Sequence, residues 1–277
     1  MNAIMTLAWL TFHEARRRSM VLAALLLGVA FLLLYGIGLY FIVRDAAHAG
    51  VSGVEAGLTY NILELAGLYV VHFLVVMLAI VATVDAVSGE ISSHTIQTLV
   101  TKPLSRWQII SGKWLGYVLM LVLYAALLSL GILLTTRLIA GYMPPNPLPG
   151  IALILLQVAV LVSLSLLCGT YVSTLTNGVI LFMLYGLAFI GSWVEQIGTL
   201  LGSPATAQIG IISSLILPVE ALWRLTASLM QPAALNAFNF SPFSLGATPS
   251  MVMVLYAAGY VVALAALAMR AFAQRDL

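Results

Sequence analysis

The chain has 277 residues, of which 62% are apolar and 7% charged, whereas a soluble domain is nearer a quarter charged. That balance, with a mean hydropathy of +1.11, excludes an ordinary soluble globule and selects a polytopic membrane protein. The net charge of +2 and the single cysteine, Cys168, exclude an intrachain disulfide and any Cys-x-x-Cys or Cys/His zinc centre. No nucleic-acid partner is expected.

Residues 2–18 read as an amphipathic helix. Ile4, Leu7, Ala8, Phe12 and Ala15 share one face, and Asn2, Thr6, His13 and Arg17 share the other. Arg16, Arg17 and Arg18 close it, so it suits the headgroup region with its cationic end toward anionic lipid; the alternative is that it continues the first span. The beginning does not read as a signal peptide, because its apolar run is too long and lacks an A-x-A site. Residues 20–43 carry no charge and are long enough to cross a hydrocarbon core of about 30 Å at about 1.5 Å per residue. A polar loop around Arg44, Asp45 and Glu55 follows, then a second span from about Leu65 to Val84.

Residues 84–113 are the long polar interruption with helix signals of its own. Ser92 or Ser93 can cap a short helix over residues 95–100. Pro103 forbids its continuation and biases Lys102 toward extended backbone. Ser105 restarts a helix with Gln108 at the capping-box spacing and Leu104 and Ile109 at the staple positions. A short helix held off the membrane between two spans suits docking against another protein; a well-formed loop is the competing reading.

The third span is predicted over residues 114–136. Arg137 and Pro144, Pro145, Pro147 and Pro149 make a loop. The fourth span covers 151–174 and the fifth 179–201, with Glu195 near its far end. Residues 211–230 are apolar, but Pro218, Glu220 and Arg224 fall in their middle, and each charge at a helix centre costs about 2.5–3.5 kcal/mol. This segment therefore reads as an interfacial or re-entrant helix, with Glu220 and Arg224 spaced for a helical ion pair. Residues 251–269 form the sixth span and a charged tail follows. The expectation is an all-α fold in a single transmembrane domain, 1–277, with six spans and an external segment at 202–250. Six spans put both ends on one side. That side holds eight of the eleven Lys and Arg residues, which places it in the cytoplasm.

Ionisable groups inside a membrane are functional candidates. His72 lies in mid-span, with Glu64 two turns away. His13, His48 and His94 lie outside the spans, so no metal site is expected. The favoured reading of His72 is a neutral ring hydrogen-bonded to a neighbouring helix, for which His72→Ala is mild; a pathway or interface role for His72 and Glu195 is the alternative. Glu195 lies near a membrane boundary, where it can reach headgroups, and a structural or interfacial role is favoured for it. Gln157, Asn177, Tyr69 and Tyr185 line a cavity or bridge helices. Asp85 and Glu90 read as solvated residues at the cytoplasmic end of the second span; Arg106 and Lys113 are on the same side and can pair with them. The sequence contains no GxxxxGK[ST], HExxH or GxSxG. No catalytic or cofactor-binding residue is assigned, and energy must come from a gradient or another subunit.

The 84–113 stretch resembles the ABC-2 type permeases. The resemblance rests on Gly89–Glu90, residues 95–100, Lys102 to Trp107 and Gly112–Lys113. The run from Glu14 to Arg18, the segment from Pro218 to Arg224 and the tail from Phe272 to Leu277 agree with it. Its layout covers the chain and is nearest the branch linked to multicopper-enzyme maturation. The resemblance implies the membrane subunit of an exporter, with two permease copies over two cytosolic ATPase subunits that hold ATP and Mg. It implies that 1–19 is an elbow helix, with Phe12, Arg16 and Arg17 meeting the ATPase. It implies that 89–107 is a coupling loop acting through Glu90, Ser93, Thr95, Ile96, Leu99, Val100 and Arg106. Multi-pass insertion in a bacterial plasma or inner membrane follows, with lipid as a further partner. A mechanical or assembly subunit acting on a protein partner is the second reading, and a gradient-driven secondary transporter the third.

Overall fold

The computed structural model describes residues 3–50, 53–92, 105–232 and 249–275, and the described residues form ten helices without strands. They are α1 (Ala3–Arg17), α2 (Ser19–His48), α3 (Val54–Thr83), α4 (Ser88–Ser92), α5 (Arg106–Ala140), α6 (Pro147–Tyr171), α7 (Thr174–Leu200), α8 (Pro204–Ile216), α9 (Val219–Met230) and α10 (Val252–Gln274). Six helices are long and apolar enough to span a membrane: α2, α3 running on into α4, α5, α6, α7 and α10. The predicted short helix over 95–100 and the Leu104 half of the staple lie outside the described residues.

Local signals set several boundaries. Ser105 and Gln108 form the predicted capping box, with the Ser105 amide donating to Gln108 Oε1 at 3.1 Å, so α5 begins eight residues before the apolar run. At its other end Gly141 takes φ +65°, the left-handed turn that stops a helix. Asn146 with φ 50° and Pro147 in the first turn start α6. The second span begins at Val54, not near Leu65 as predicted. Asn61 and Glu64 interrupt the apolar run in sequence, but both are fully buried inside the bundle and meet no lipid.

In α2, Val21, Gly28 and Leu39 are the buried residues, so this helix is peripheral. The centre is α3, α5 and α6 with α9 inserted against them. Helix α1 packs along the first turns of α5, burying Leu7, Ala8, Thr11 and Ala15. This close approach needs the glycines of α5. A Cβ on Gly112 would stand 2.5 Å from Leu7 Cβ, and one on Gly116 would stand 2.7 Å from the Ala8 carbonyl oxygen. Thus the amphipathic helix has a protein partner for its apolar face, while Met5, Trp9 and Leu10 stay exposed. Gly116→Val is expected to lever α1 off α5 without blocking insertion. A disulfide between cysteines placed on the facing helices would then form in the parent and fail in the variant; equal cross-linking would refute the packing.

Residues 204–230 form two helices broken by a sharp bend. Helices α8 and α9 meet at Pro218 with a bend of 106°. Helix α8 runs back along α7, so closely that a Cβ on Gly210 would stand 2.6 Å from the Gly191 carbonyl oxygen. Helix α9 then returns to the side it came from. Met230 packs on Gly150, Asn146 Nδ2 donates to the Leu229 carbonyl at 3.4 Å, and Asn61 Nδ2 donates to the Met230 carbonyl at 2.9 Å. The segment expected to be an interfacial or re-entrant helix is thus a pair of helices bent at Pro218. Helix α9 is buried almost all round, so the charges on it face protein.

Candidate functional site

Polar side chains concentrate in two layers. The first lies on the side of the chain ends, around the gap between α4 and α5. Arg18, at the start of α2, donates to both Asp85 carboxylate oxygens at 2.5 and 2.6 Å and to Glu14 at 3.1 Å. Burial opposes its charge, yet Tyr117, Asp85 and Glu14 outweigh that and hold the guanidinium above its ordinary range. Lys113 on α5 is buried, and its Nζ donates to the Ala86 carbonyl at 2.9 Å and to Glu90 Oε1 at 2.5 Å. Arg106 donates to the carbonyls of Ala273 and Arg275 at 3.2 and 2.5 Å, and Arg275 donates to the Thr170 carbonyl. Asn177 Nδ2 bridges the carbonyls of Val84 and Ser165 at 2.9 and 3.1 Å. The two ends of the segment 93–104 are thereby anchored to α2, α5, α6, α7 and the end of α10.

The predicted site residues divide across this layer. Glu90 and Arg17 line one cavity of about 550 Å³, together with Lys113, Leu10 and Glu14. Phe12 and Arg16 lie on the other flank of α1, in a recess with Val21, Leu25 and Tyr124. Arg106 holds the tail. Ser93, Thr95, Ile96, Leu99 and Val100 lie outside the described residues. Of the two acidic residues that could pair with Arg106 and Lys113, one does so. Lys113 takes Glu90, whereas Asp85 goes to Arg18, because the short α4 turn presents Glu90 to α5 and leaves Asp85 facing α2.

The second layer is inside the bundle, where α9 begins. His72 on α3 is fully buried. Its Nδ1 lies 2.7 Å from Gln157 Oε1 on α6 and its Nε2 lies 3.1 Å from Glu220 Oε1 on α9. The ring stacks on Trp223, with centroids 5.3 Å apart, and Tyr69 and Tyr185 enclose it. Glu220 occupies the first turn of α9, where the helix dipole favours a carboxylate. One turn on, Arg224 Nη2 donates to Glu195 Oε2 on α7 at 2.7 Å. The expected Glu220–Arg224 pair within one helix is therefore replaced by two pairs to other helices. Glu195 is buried against Arg224. Both pairs have one cause: α9 is surrounded by protein, so its charges take partners from α3 and α7 instead of from its own exposed face.

Glu64 is the other buried carboxylate. It is fully buried and neither oxygen has a hydrogen-bond partner. An ionised carboxylate held this way is expensive. Glu64→Met replaces the unpartnered carboxyl group by an apolar side chain of similar length, and is expected to raise the melting temperature in detergent by about 2–4 °C; a fall would reveal a role for the carboxyl group. Among the described residues, no group of three His, Cys, Asp or Glu side chains is placed to hold a metal ion.

A search of curated proteins finds no match to this chain. The pattern of the family described as ABC-2 family transporter protein, in contrast, matches residues 5–277. It spans all six membrane helices, the α1 packing and the bent pair. The chain belongs to the ABC-2 family of transporter proteins.

Proposed function

We propose that this chain is the permease subunit of an exporter driven by separate cytosolic ATPase subunits, two per assembly, over two permease copies. ATP and Mg belong to those partners. The observation that carries this reading is the layer at the chain ends, where the residues on both sides of the segment 93–104 are clamped by Glu90–Lys113, Arg18–Asp85 and Arg106. A push on that segment reaches α3, α5 and α2 through charge-assisted bonds rather than through a slack loop. Helix α1, fixed to α5, presents Trp9 and Leu10 outward as a second contact. The excess of Lys and Arg assigns this layer and both termini to the cytoplasm, in a bacterial plasma or inner membrane.

Affinity purification in mild detergent tests the assignment. A stoichiometric partner carrying GxxxxGK[ST] is expected; a stable, ATPase-free homomer would end it. For orientation, a cysteine at Asn146 is expected to label from outside, and one at Ser92 only after permeabilisation. The reverse pattern would invert the topology.

A further inference from the structure

A cavity of about 410 Å³ lies beside the bent pair, between α8, α9 and the start of α10. Its walls are apolar: Ile211, Leu215, Val252 and Tyr256 line it, and all four are also partly exposed on the flank of the bundle. Its polar end is Arg224, Glu195 and Ser214. These three are 4%, 5% and 2% exposed. Glu195 takes only Nη2 of the guanidinium. Arg224 Nε and Nη1 and Ser214 Oγ have no hydrogen-bond partner.

Buried donors without acceptors are rare and costly, and a guanidinium fork matches phosphate geometry. The Glu195 carboxylate already cancels the Arg224 charge. The remaining pull is therefore short-range and directional, through two N–H groups and one hydroxyl. An apolar trough that ends at the residues carrying these donors suits a molecule with a chain and a phosphate head. We propose that this cavity binds a phosphate-headed amphiphile, entered from the membrane, with the head on Arg224 and Ser214 and the chain along α8 and α10. Under the exporter reading, on which its purpose but not its binding rests, this is a cargo or regulatory lipid.

Binding is measured without nucleotide on the full chain in its purified assembly, in a maltoside detergent. The probes are phosphatidylglycerol, diacylglycerol with the same chains, and inorganic phosphate. Phosphatidylglycerol is expected to be retained and diacylglycerol lost. Val252→Trp narrows the trough from its exposed wall without touching the ion pair, and Ser214→Ala removes one donor. Each is expected to weaken phosphatidylglycerol binding, Val252→Trp by about tenfold. Equal retention of the two lipids, or no change in both variants, overturns the proposal. Binding of inorganic phosphate alone with displacement of the lipid overturns the amphiphile as occupant. Absence of a co-purifying ATPase would sink the exporter reading and leave this result standing.

Discussion

His72→Ala is expected to destabilise the protein by about 1–3 kcal/mol, the range for leaving a buried hydrogen-bonding group without its partner. The magnitude decides between two descriptions of this residue. Neutral hydrogen bonds between membrane helices are worth only about 0.6 kcal/mol on average, and a histidine serving that way would be dispensable. Here the imidazole is the described partner of the Glu220 carboxylate at 3.1 Å and also meets Gln157, at a site sealed by Trp223 and Tyr185. Truncation leaves Glu220 facing a hole too enclosed to rehydrate freely. The penalty should reverse when the orphan is removed, so His72→Ala with Glu220→Ala is expected to be less damaging than His72→Ala alone. Thermal unfolding of the two single variants and the double variant in detergent gives the coupling directly. A single variant within about 0.6 kcal/mol of the parent would return His72 to the mild reading that the sequence favours.

Because Glu220 opens α9, loss of this pair should also loosen the bend at Pro218. The loss should be felt at Arg224–Glu195 one turn away. The two pairs fix where α9 begins: Glu220 is held to α3 and Arg224 to α7. Their value is thus partly one of register, since an apolar helix could slide along its neighbours at little cost, whereas a displaced Arg224 could not.

What could be read in the sequence follows from the range of the interaction. The Ser105–Gln108 box is written in adjacent residues and stands where the spacing puts it, whereas Pro218 splits into two helices what the sequence reads as one. The apolar face of α1 is also local, and its buried set of Leu7, Ala8 and Ala15 belongs to it, although Phe12 is only half-buried and Thr11 takes its place in the contact. The partner of that face was not legible. Gly112 and Gly116 are visible as small residues, but nothing in their spacing says that α1 rather than another span lies on them. The same holds for charge. Glu220 and Arg224 at a four-residue spacing describe an ion pair only if their helix has a solvent face, and α9 has none. Glu64 and Asn61 shorten the second span in a hydropathy reading because hydropathy cannot know that both point inward.

Lys113→Met is the second large effect, and it is one of function rather than folding. Lys113 Nζ ties Glu90, on the short α4, to the first turns of α5 and also donates to the Ala86 carbonyl. With 21% of the Glu90 side chain exposed, water can take over part of what Lys113 supplied. The stability cost should therefore be smaller than for His72. Transmission is different. If nucleotide-driven movement of the ATPase enters at residues 93–104, the Glu90–Lys113 contact is where it passes into α5. Coupling free energies between sites run at about 1–3 kcal/mol, about 5–150-fold in a rate or affinity. The expected result is an assembly that still co-purifies with its ATPase but whose hydrolysis rate has lost its dependence on the permease. Exchange of the two charges, Glu90→Lys with Lys113→Glu, should recover part of it, since the contact is remade in reverse. ATPase assays on the purified parent, single and exchanged assemblies separate the outcomes without knowledge of the cargo. Loss of the ATPase from the assembly would make this contact a docking element. Unchanged coupling in Lys113→Met would move the path of transmission to Arg18–Asp85, the other bonded route from this layer into the spans.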